Sequence, residues 1–354
     1  MVSMAWMVSL FFAVNIGASG TAASMAPAYG SGAISRRWVA LALAGAAVAA
    51  GALVCGAPVA RTIGSGLVPS RLFNAETVII VLLAASATLF AANLLGVPLS
   101  TSEVTVGSIV GLGLADHALK FGHVILVVAM WLIIPALAYL LARIMSRLHP
   151  WLRRKRSSRP PFNRRLAACL LAAAGFGQAF AAGMNNVANA VGPLVGAGLA
   201  PLAASLMWGA VFVGLGAFFL GGRVLDTNAK KLVTMSLLDG GSASVISGLL
   251  TALASLAGLP VPLTQASTMA ILGLRAPGST QSSARPIVTR VLRIWITSPL
   301  ASLVVSYTAV VIVTHGHGNI LLFAVALLAC AFGYRSALRR SPRQRQRAST
   351  SADE

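Results

Sequence analysis

The chain has 354 residues, of which 57% are hydrophobic and only 10% are charged. A soluble domain carries about 25% charged residues, so this composition excludes an ordinary soluble protein and places the apolar surface in a bilayer. The net charge of +20 would suit nucleic acid. However, the basic residues lie in short segments between apolar stretches, as in the loops of membrane proteins, and we expect no nucleic-acid partner.

The apolar stretches predict an all-α polytopic membrane protein with about 10–12 transmembrane segments. Seven stretches are long enough to span the bilayer, or nearly so: 38–57, 73–95, 119–143, 201–221, 236–257, 294–313 and 319–335. Four more are interrupted by Gly, Ser, Pro or Asn: 4–34, 100–116, 166–198 and 262–276. A span needs about 20 residues. The stretches 100–116 and 262–276 are shorter, so they are expected to be tilted partial helices or re-entrant hairpins. The first stretch lacks a preceding basic segment, which favours a retained membrane segment over a cleaved signal peptide.

Short blocks of sequence recur in the two halves of the chain, in the same order and at nearly constant spacing. The pairs are Gly17 with Gly183, Pro27 with Pro193, Gly30 with Gly196, Gly32 with Gly198, Val59 with Val224, Thr62 with Thr227, Gly96 with Gly258, Pro98 with Pro260 and Gly111 with Gly273. Such a duplication in an apolar chain predicts a transporter built from two repeats. The predicted division is repeat 1 at 1–142, a basic cytoplasmic loop at 143–165, repeat 2 at 166–313, a final transmembrane helix at 314–338 and a basic cytoplasmic tail at 339–354.

The distribution of basic residues predicts the orientation in the membrane. If the N-terminus lies outside and each repeat crosses five times, all basic residues except Arg61, Arg71 and Lys120 fall on the cytoplasmic side. An odd number of crossings inverts the second repeat relative to the first. We therefore expect a multi-pass protein of the cell inner (plasma) membrane with its C-terminus in the cytoplasm.

Four segments interrupt the apolar pattern with polar residues: 15–25, 98–107, 183–193 and 259–268. Polar groups in hydrocarbon are costly, so these segments are expected to face a cavity or each other. Gly, Ser and Asn allow a helix to break there, and a helix that starts after the break points its N–H groups at an anion. Four such breaks, in symmetric pairs, predict a site for one tetrahedral oxyanion.

The residues GMNNVANAVGP at 183–193 and GVPLSTSEVTVG at 96–107 resemble signatures of the inorganic phosphate transporter (PiT) family. This resemblance implies an anion carrier coupled to sodium or protons. Two acidic positions of the family's motifs are here Gly20 and Asn186, and two histidine positions are Glu103 and Gln265. The run NIGASGTAASM, together with STSE in place of a histidine motif, is similar to the sulfate-permease branch of the family.

The candidate substrate-binding residues come from the four polar segments. Each either has a hydrogen-bond donor in its side chain or, as a glycine, leaves room for the anion. They are Ser19, Gly20, Thr21, Ser100, Thr101, Ser102, Asn185, Asn186, Asn189, Thr264 and Gln265. Two simpler interpretations remain open. The asparagines are also suited to hydrogen bonding between membrane helices, and the hydroxyls at 100–102 to bonding with carbonyls of their own helix.

Sulfate is the expected substrate, with phosphate or thiosulfate as alternatives. A fully ionised sulfate only accepts hydrogen bonds, whereas phosphate keeps a P–OH donor that a motif carboxylate would satisfy. Glu103 is the candidate proton carrier, although a salt bridge or a solvated helix end would also explain an acid there.

No ATPase, serine-hydrolase or zinc-protease motif occurs in the sequence, so we expect a secondary transporter rather than an enzyme, with an uncoupled channel as the alternative. No cofactor or metal site is expected, because Cys55, Cys169 and Cys330 lie apart in apolar stretches. The sequence leaves a homodimer open.

Overall fold

The computed structural model describes residues 1–94, 99–157, 164–232, 237–274 and 284–314. Within these ranges the chain is helical and has no strands. The helices are α1 (Val2–Ile16), α2 (Ala26–Gly30), α3 (Arg37–Cys55), α4 (Ala57–Arg61), α5 (Ala75–Leu94), α6 (Thr101–Ala115), α7 (Phe121–Ser157), α8 (Arg164–Gly196), α9 (Leu202–Leu220), α10 (Gly222–Leu232), α11 (Leu237–Leu256), α12 (Leu263–Leu274) and α13 (Ala284–Thr314). The predicted final helix at 314–338, apart from its first residue, and the tail at 339–354 lie outside the described residues.

Seven helices in the described ranges are long and apolar enough to cross a membrane: α1, α3, α5, α7, α8, α9 and α13. They confirm the prediction of a polytopic all-α membrane protein. The stretch 236–257, which forms α11, is not among the seven. The basic segment after Arg143 is helical as far as Ser157, because α7 continues into it.

The polar segments 98–107 and 259–268 each contain the start of a short helix, as predicted. Ser100 is the N-cap of α6, and α12 starts at Leu263. Residues 17–21 form a π-helical turn at the end of α1, so the first polar segment also departs from regular α-helix. All three departures lie in the interior of the molecule.

The predicted break at 183–193 is wrong, because α8 runs without interruption from Arg164 to Gly196 and contains Pro193. Packing explains the continuous helix. A methyl group on Gly183 would overlap the carbonyl oxygen of Val48 on α3, so the missing side chain serves close contact between helices rather than a bend. The asparagines that follow bond to side chains and a carbonyl of other segments and do not interrupt the helix.

Helices α1 and α8 run antiparallel through the centre. Ser9 Oγ on α1 donates to Ala190 O near the end of α8. At the other end of the contact, Gly175 of α8 lies against Ser24, which follows α1. An inverted duplication requires this arrangement of the first helix of each repeat, and the duplication itself stays a prediction.

Candidate functional site

A buried polar cluster joins α8 to the start of α6. Thr101 Oγ1 donates to Asn186 Oδ1 at 2.8 Å, and Ser102 Oγ donates to Asn185 Oδ1 at 3.0 Å. Asn189 Nδ2 donates to Ser102 Oγ at 3.1 Å and more weakly to Thr101 Oγ1 at 3.4 Å. These five side chains are at most 6% exposed. The hydroxyls of Thr101 and Ser102 thus bond across the helix interface, whereas Ser100 Oγ accepts from the Glu103 N–H of its own helix.

The segment before α12 closes the cluster through a backbone carbonyl. Asn185 Nδ2 donates to Val261 O at 2.9 Å, and Ser102 Oγ lies 3.2 Å from the same oxygen. Trp131 of α7 fixes this segment from the opposite side, because its Nε1 donates to Pro260 O at 3.0 Å. The two polar segments 98–107 and 259–268 therefore meet at Asn185.

The first polar segment approaches the cluster through Gly20. A methyl group on Gly20 would have Thr264 Oγ1 as its nearest neighbour outside the local helix, 4.0 Å away, so there is open space between the two residues. Both residues are partly exposed. Ser19 Oγ instead donates to Ile16 O of its own helix, and its hydroxyl is not part of the cluster.

Several polar atoms at this centre have no partner among the described residues. Asn189 Oδ1 and Thr21 Oγ1 are enclosed and accept or donate no hydrogen bond. Asn186 uses its carbonyl oxygen for Thr101, and no described group accepts from its Nδ2. A buried polar group without a partner costs about 1–3 kcal/mol, so such atoms are expected to contact a ligand during the working cycle.

Glu103 lies beside the cluster at 1% exposure. Gln265 Nε2 donates to its Oε1, and Ser298 Oγ donates to its Oε2 at 3.2 Å. In the described part of the chain no basic side chain pairs with it. Its burial there does not match a solvated helix end, and its role as a proton carrier stays a prediction.

The sequence did not single out Ser298, Trp131 or the Val261 carbonyl as site groups. For Ser298 a signal existed, because Ser298, Ser302 and Ser306 recur at one helical turn within an apolar stretch. All three are 0% exposed, and Ser302 Oγ donates to Val104 O of α6 at 2.6 Å. A backbone carbonyl in a loop leaves no comparable pattern in the sequence.

Among the described residues, no group of three or more His, Cys, Asp or Glu side chains comes together to hold a metal ion. Cys55 is partly buried and Cys169 is exposed on the outer face of the helices, and both are free thiols. Cys330 lies outside the described residues. Asn and Thr side chains around two helix starts offer neutral hydrogen-bond donors instead.

An all-helical, multi-pass fold with a buried polar centre between short interior helices defines a membrane transporter. A model of the phosphate transporter family matches residues 16–306 of this chain. The chain therefore belongs to the phosphate transporter family, whose members are permeases, and the resemblance seen in the motifs is confirmed.

Two relatives align over most of their length. The sulfate permease CysP of Bacillus subtilis is 41% identical over 326 residues, 92% of each chain. A probable low-affinity inorganic phosphate transporter of Mycobacterium bovis is 30% identical in an alignment of 358 positions that covers 94% of this chain and 83% of that protein. Among solved structures, the sodium-dependent phosphate transporter has the same fold. Its TM-score is 0.78 at 20% identity, and the alignment covers 89% of this chain and 99% of that one.

Proposed function

We propose that this protein is a secondary active transporter that imports sulfate by proton symport. One observation carries the proposal: neutral amide and hydroxyl groups surround the starts of two interior helices, and no basic side chain is among them. The first N–H groups of a helix have no partner within it and carry partial positive charge. Such a centre suits a small anion that must also be released.

The neutral cluster favours sulfate over phosphate. At neutral pH all four sulfate oxygens only accept hydrogen bonds, whereas phosphate keeps at least one P–OH that needs an acceptor. Asn186 holds its carbonyl oxygen against Thr101 Oγ1 at 2.8 Å, which leaves its Nδ2 as a donor for the anion. Gly20 adds no carboxylate on the opposite side. The name of the Bacillus subtilis relative, a sulfate permease at 41% identity, supports the same choice.

Phosphate is the second candidate, and Asn189 favours it. The Asn189 Oδ1 acceptor is enclosed and has no partner among the described residues, so a P–OH group would satisfy it. The Mycobacterium bovis relative carries the name of a phosphate transporter. Thiosulfate resembles sulfate in having no proton to donate and would compete for the same donors.

Proton coupling follows from the charge of the substrate and from Glu103. Each negative charge that enters against 100 mV, negative inside, costs about 2.3 kcal/mol, so co-transported cations must offset a dianion. Glu103 is the acid of the polar centre, is 1% exposed and touches Gln265 and Ser298 rather than a cation. If the Glu103 carboxyl takes up a proton on one side and releases it on the other, that proton is carried with the anion and offsets part of its charge.

Uptake of labelled oxyanions by proteoliposomes that hold the purified protein tests the proposal. We expect uptake of sulfate to exceed that of phosphate at equal concentration and to stop when a protonophore removes the proton gradient. Counterflow of labelled sulfate against unlabelled sulfate inside should persist without a proton gradient, because a carrier exchanges substrate and a channel does not. Equal or faster carriage of phosphate would refute the substrate, and loss of counterflow would point to a channel.

A further inference from the structure

A second group of polar side chains lies outside the candidate site and joins three helices. Gln178 Nε2 of α8 donates to Ser247 Oγ of α11 at 3.0 Å and to Ser267 Oγ of α12 at 2.8 Å. Gln178 is 7% exposed and Ser247 is 0% exposed, whereas Ser267 is partly exposed. Each amide hydrogen is used once, so one residue holds two helices against α8.

Helix α11 runs parallel to α8 and carries hydroxyls towards the candidate site. Gly241 lies beside Leu171, and Gly248 lies beside Gln178, so the two helices run in the same direction with a constant register. Hydroxyls recur on α11 every three or four residues, at Ser244, Ser247, Thr251 and Ser255, and all four are at most 2% exposed. At this register Ser255 reaches the level of Asn185. Thr251 Oγ1 and Ser255 Oγ have no partner among the described residues.

Helix α12 starts at the candidate site and leads away from it to the end of the molecule where the basic segment begins. Near its start, Val261 O contacts Asn185. Ser267 lies one turn after the partly exposed Thr264. Close to its end, a methyl group on Gly273 would lie 3.2 Å from the backbone nitrogen of Arg143 on α7. We call this end of the molecule, with Arg143 and the start of α8, the basic end.

Gln178 and Asn185 are two turns apart on the same face of α8, and both hold the α11–α12 pair. Asn185 binds the connection between the two helices through Val261 O, whereas Gln178 binds a hydroxyl on each helix. Each neutral hydrogen bond contributes about 0.5–1.5 kcal/mol net, so these two contacts are individually weak. When they open, the Gln178 amide and the Ser267 hydroxyl become available as donors to an anion, while Ser247 Oγ keeps its own bond to Ala243 O at 2.7 Å.

We propose that Gln178, Ser247 and Ser267 form a second polar layer through which the transported oxyanion passes between the candidate site and the basic end. The layer rests on the proposed function, because it needs an anion to carry. It adds a release contact that is separate from the cluster at Asn185, Asn186 and Asn189. Its chemistry suits any small tetrahedral oxyanion, because all three side chains are neutral and both the Gln178 amide and the Ser267 hydroxyl are donors.

A carboxylate in the layer should repel a passing dianion without altering the site. Gln178→Glu keeps the length of the side chain, and the Ser267 hydroxyl is able to donate to the carboxylate. We expect the rate of labelled-sulfate counterflow in proteoliposomes to fall by about tenfold or more, since like charges in a low-dielectric interior repel strongly. The dissociation constant of sulfate for the purified protein, measured in detergent, should stay within about threefold, a difference worth under about 1 kcal/mol.

Ser267→Asp tests the same layer from α12 and decides the matter if the Gln178 variant does not fold. Ser205→Asp is the matched control. Ser205 is more deeply buried than Ser267, so it tests an added carboxylate at least as severely. It donates to Pro201 O in the first turn of α9, where the helix dipole favours a carboxylate, and the variant should keep the unaltered counterflow rate.

Unaltered counterflow in a folded Gln178 or Ser267 variant would overturn the polar layer. If the unaltered protein carries phosphate rather than sulfate, the proposed substrate fails, and the same variants test the layer with phosphate. Carriage of neither anion by the unaltered protein would overturn both proposals.

Discussion

The side chains of Glu103 and Gln265 meet in the centre of the protein, where Gln265 Nε2 donates to Glu103 Oε1; the two residues hold corresponding positions in the predicted duplication. Ser298 Oγ donates to the other carboxylate oxygen. Both oxygens therefore act as acceptors in this arrangement. If Glu103 takes up a proton, the new O–H needs an acceptor, which rotation of the Ser298 hydroxyl or a flip of the Gln265 amide would supply.

Glu103→Gln should separate transport from the proton gradient. The substituted amide has the size of the carboxyl and cannot take up a proton at neutral pH, so the variant is expected to lose protonophore-sensitive accumulation of labelled sulfate. Counterflow, which needs no proton gradient, should continue. Glu76→Gln makes the same change at a partly exposed acid in the first turn of α5; it is the control and should keep the sensitivity to protonophore. Sodium-dependent uptake that ignores a protonophore in the unaltered protein would show that Glu103 does not carry the coupling ion.

Hydropathy predicted the spans formed by α3, α5, α7, α9 and α13, and interruptions by polar residues predicted three of the four irregular segments, because both depend on local sequence. The predicted span at 236–257 is not among the candidate spans. The continuity of α8 was not predictable in this way. Gly183 and Asn186 lower helix propensity by about 1 kcal/mol or less each relative to Ala, and packing against α3 and α6 outweighs that preference. The pairing of Glu103 with Ser298 joins residues far apart in the chain, so only the folded structure reveals it.

Close packing of α3 and α8 gives a stability prediction. A methyl group on Gly183 would overlap the Val48 carbonyl oxygen, so Gly183→Ala is expected to destabilise the protein by about 1–3 kcal/mol through overpacking. Gly177 lies on the same helix with nothing within 4 Å of an added methyl group, and Gly177→Ala should be neutral or slightly stabilising. Thermal unfolding of the purified variants in detergent measures both. If the Gly183→Ala and Gly177→Ala variants have the same melting temperature, α3 and α8 can move apart at Gly183 without loss of stability.

The open space at Gly20 predicts a steric test of the candidate site. Gly20→Ala places a methyl group 4.0 Å from Thr264 Oγ1, an ordinary contact, and should leave folding intact and uptake measurable. Gly20→Leu fills the space between the two residues and should abolish sulfate uptake while the protein still reaches the membrane. Quantified membrane protein and labelled-sulfate uptake in the same cells distinguish a blocked site from a lost protein. Normal uptake by the leucine variant would remove Gly20 from the substrate path.

Thiol labelling tests the proposed orientation. In a background without Cys55, Cys169 and Cys330, a single cysteine at 156 or 345 should be protected from impermeant reagents in intact cells. Lys120→Cys is the matched control, because Lys120 is exposed and is one of the few basic residues assigned to the outside. It should react readily. Reaction of cysteine 156 from outside would reverse the orientation of the chain and, with it, the side to which the basic end faces.

Substrate choice gives the most specific prediction. In the proposed site, the Nδ2 atom of Asn186 favours an anion without a proton, sulfate, over one with a P–OH group, phosphate. Asn186 Oδ1 accepts from Thr101 Oγ1 at 2.8 Å, and its Nδ2 is left to donate to the anion. In Asn186→Asp one oxygen would keep the contact with Thr101, and the other would replace the donor with an acceptor. That oxygen would repel sulfate and satisfy the P–OH of phosphate.

An unpaired buried polar group costs about 1–3 kcal/mol, which corresponds to roughly tenfold to hundredfold in preference. We therefore expect Asn186→Asp to shift the ratio of sulfate to phosphate uptake in proteoliposomes towards phosphate by about tenfold or more. Asn74→Asp is the control, because Asn74 Oδ1 accepts from the backbone N–H groups of Glu76 and Thr77 at 2.9 Å, a contact that a carboxylate oxygen keeps. Its ratio should not change. If the ratio of sulfate to phosphate uptake stays constant in the Asn186 variant, with both anions still carried, Asn186 does not distinguish the two substrates. Its contact with α6 would then serve only the fold.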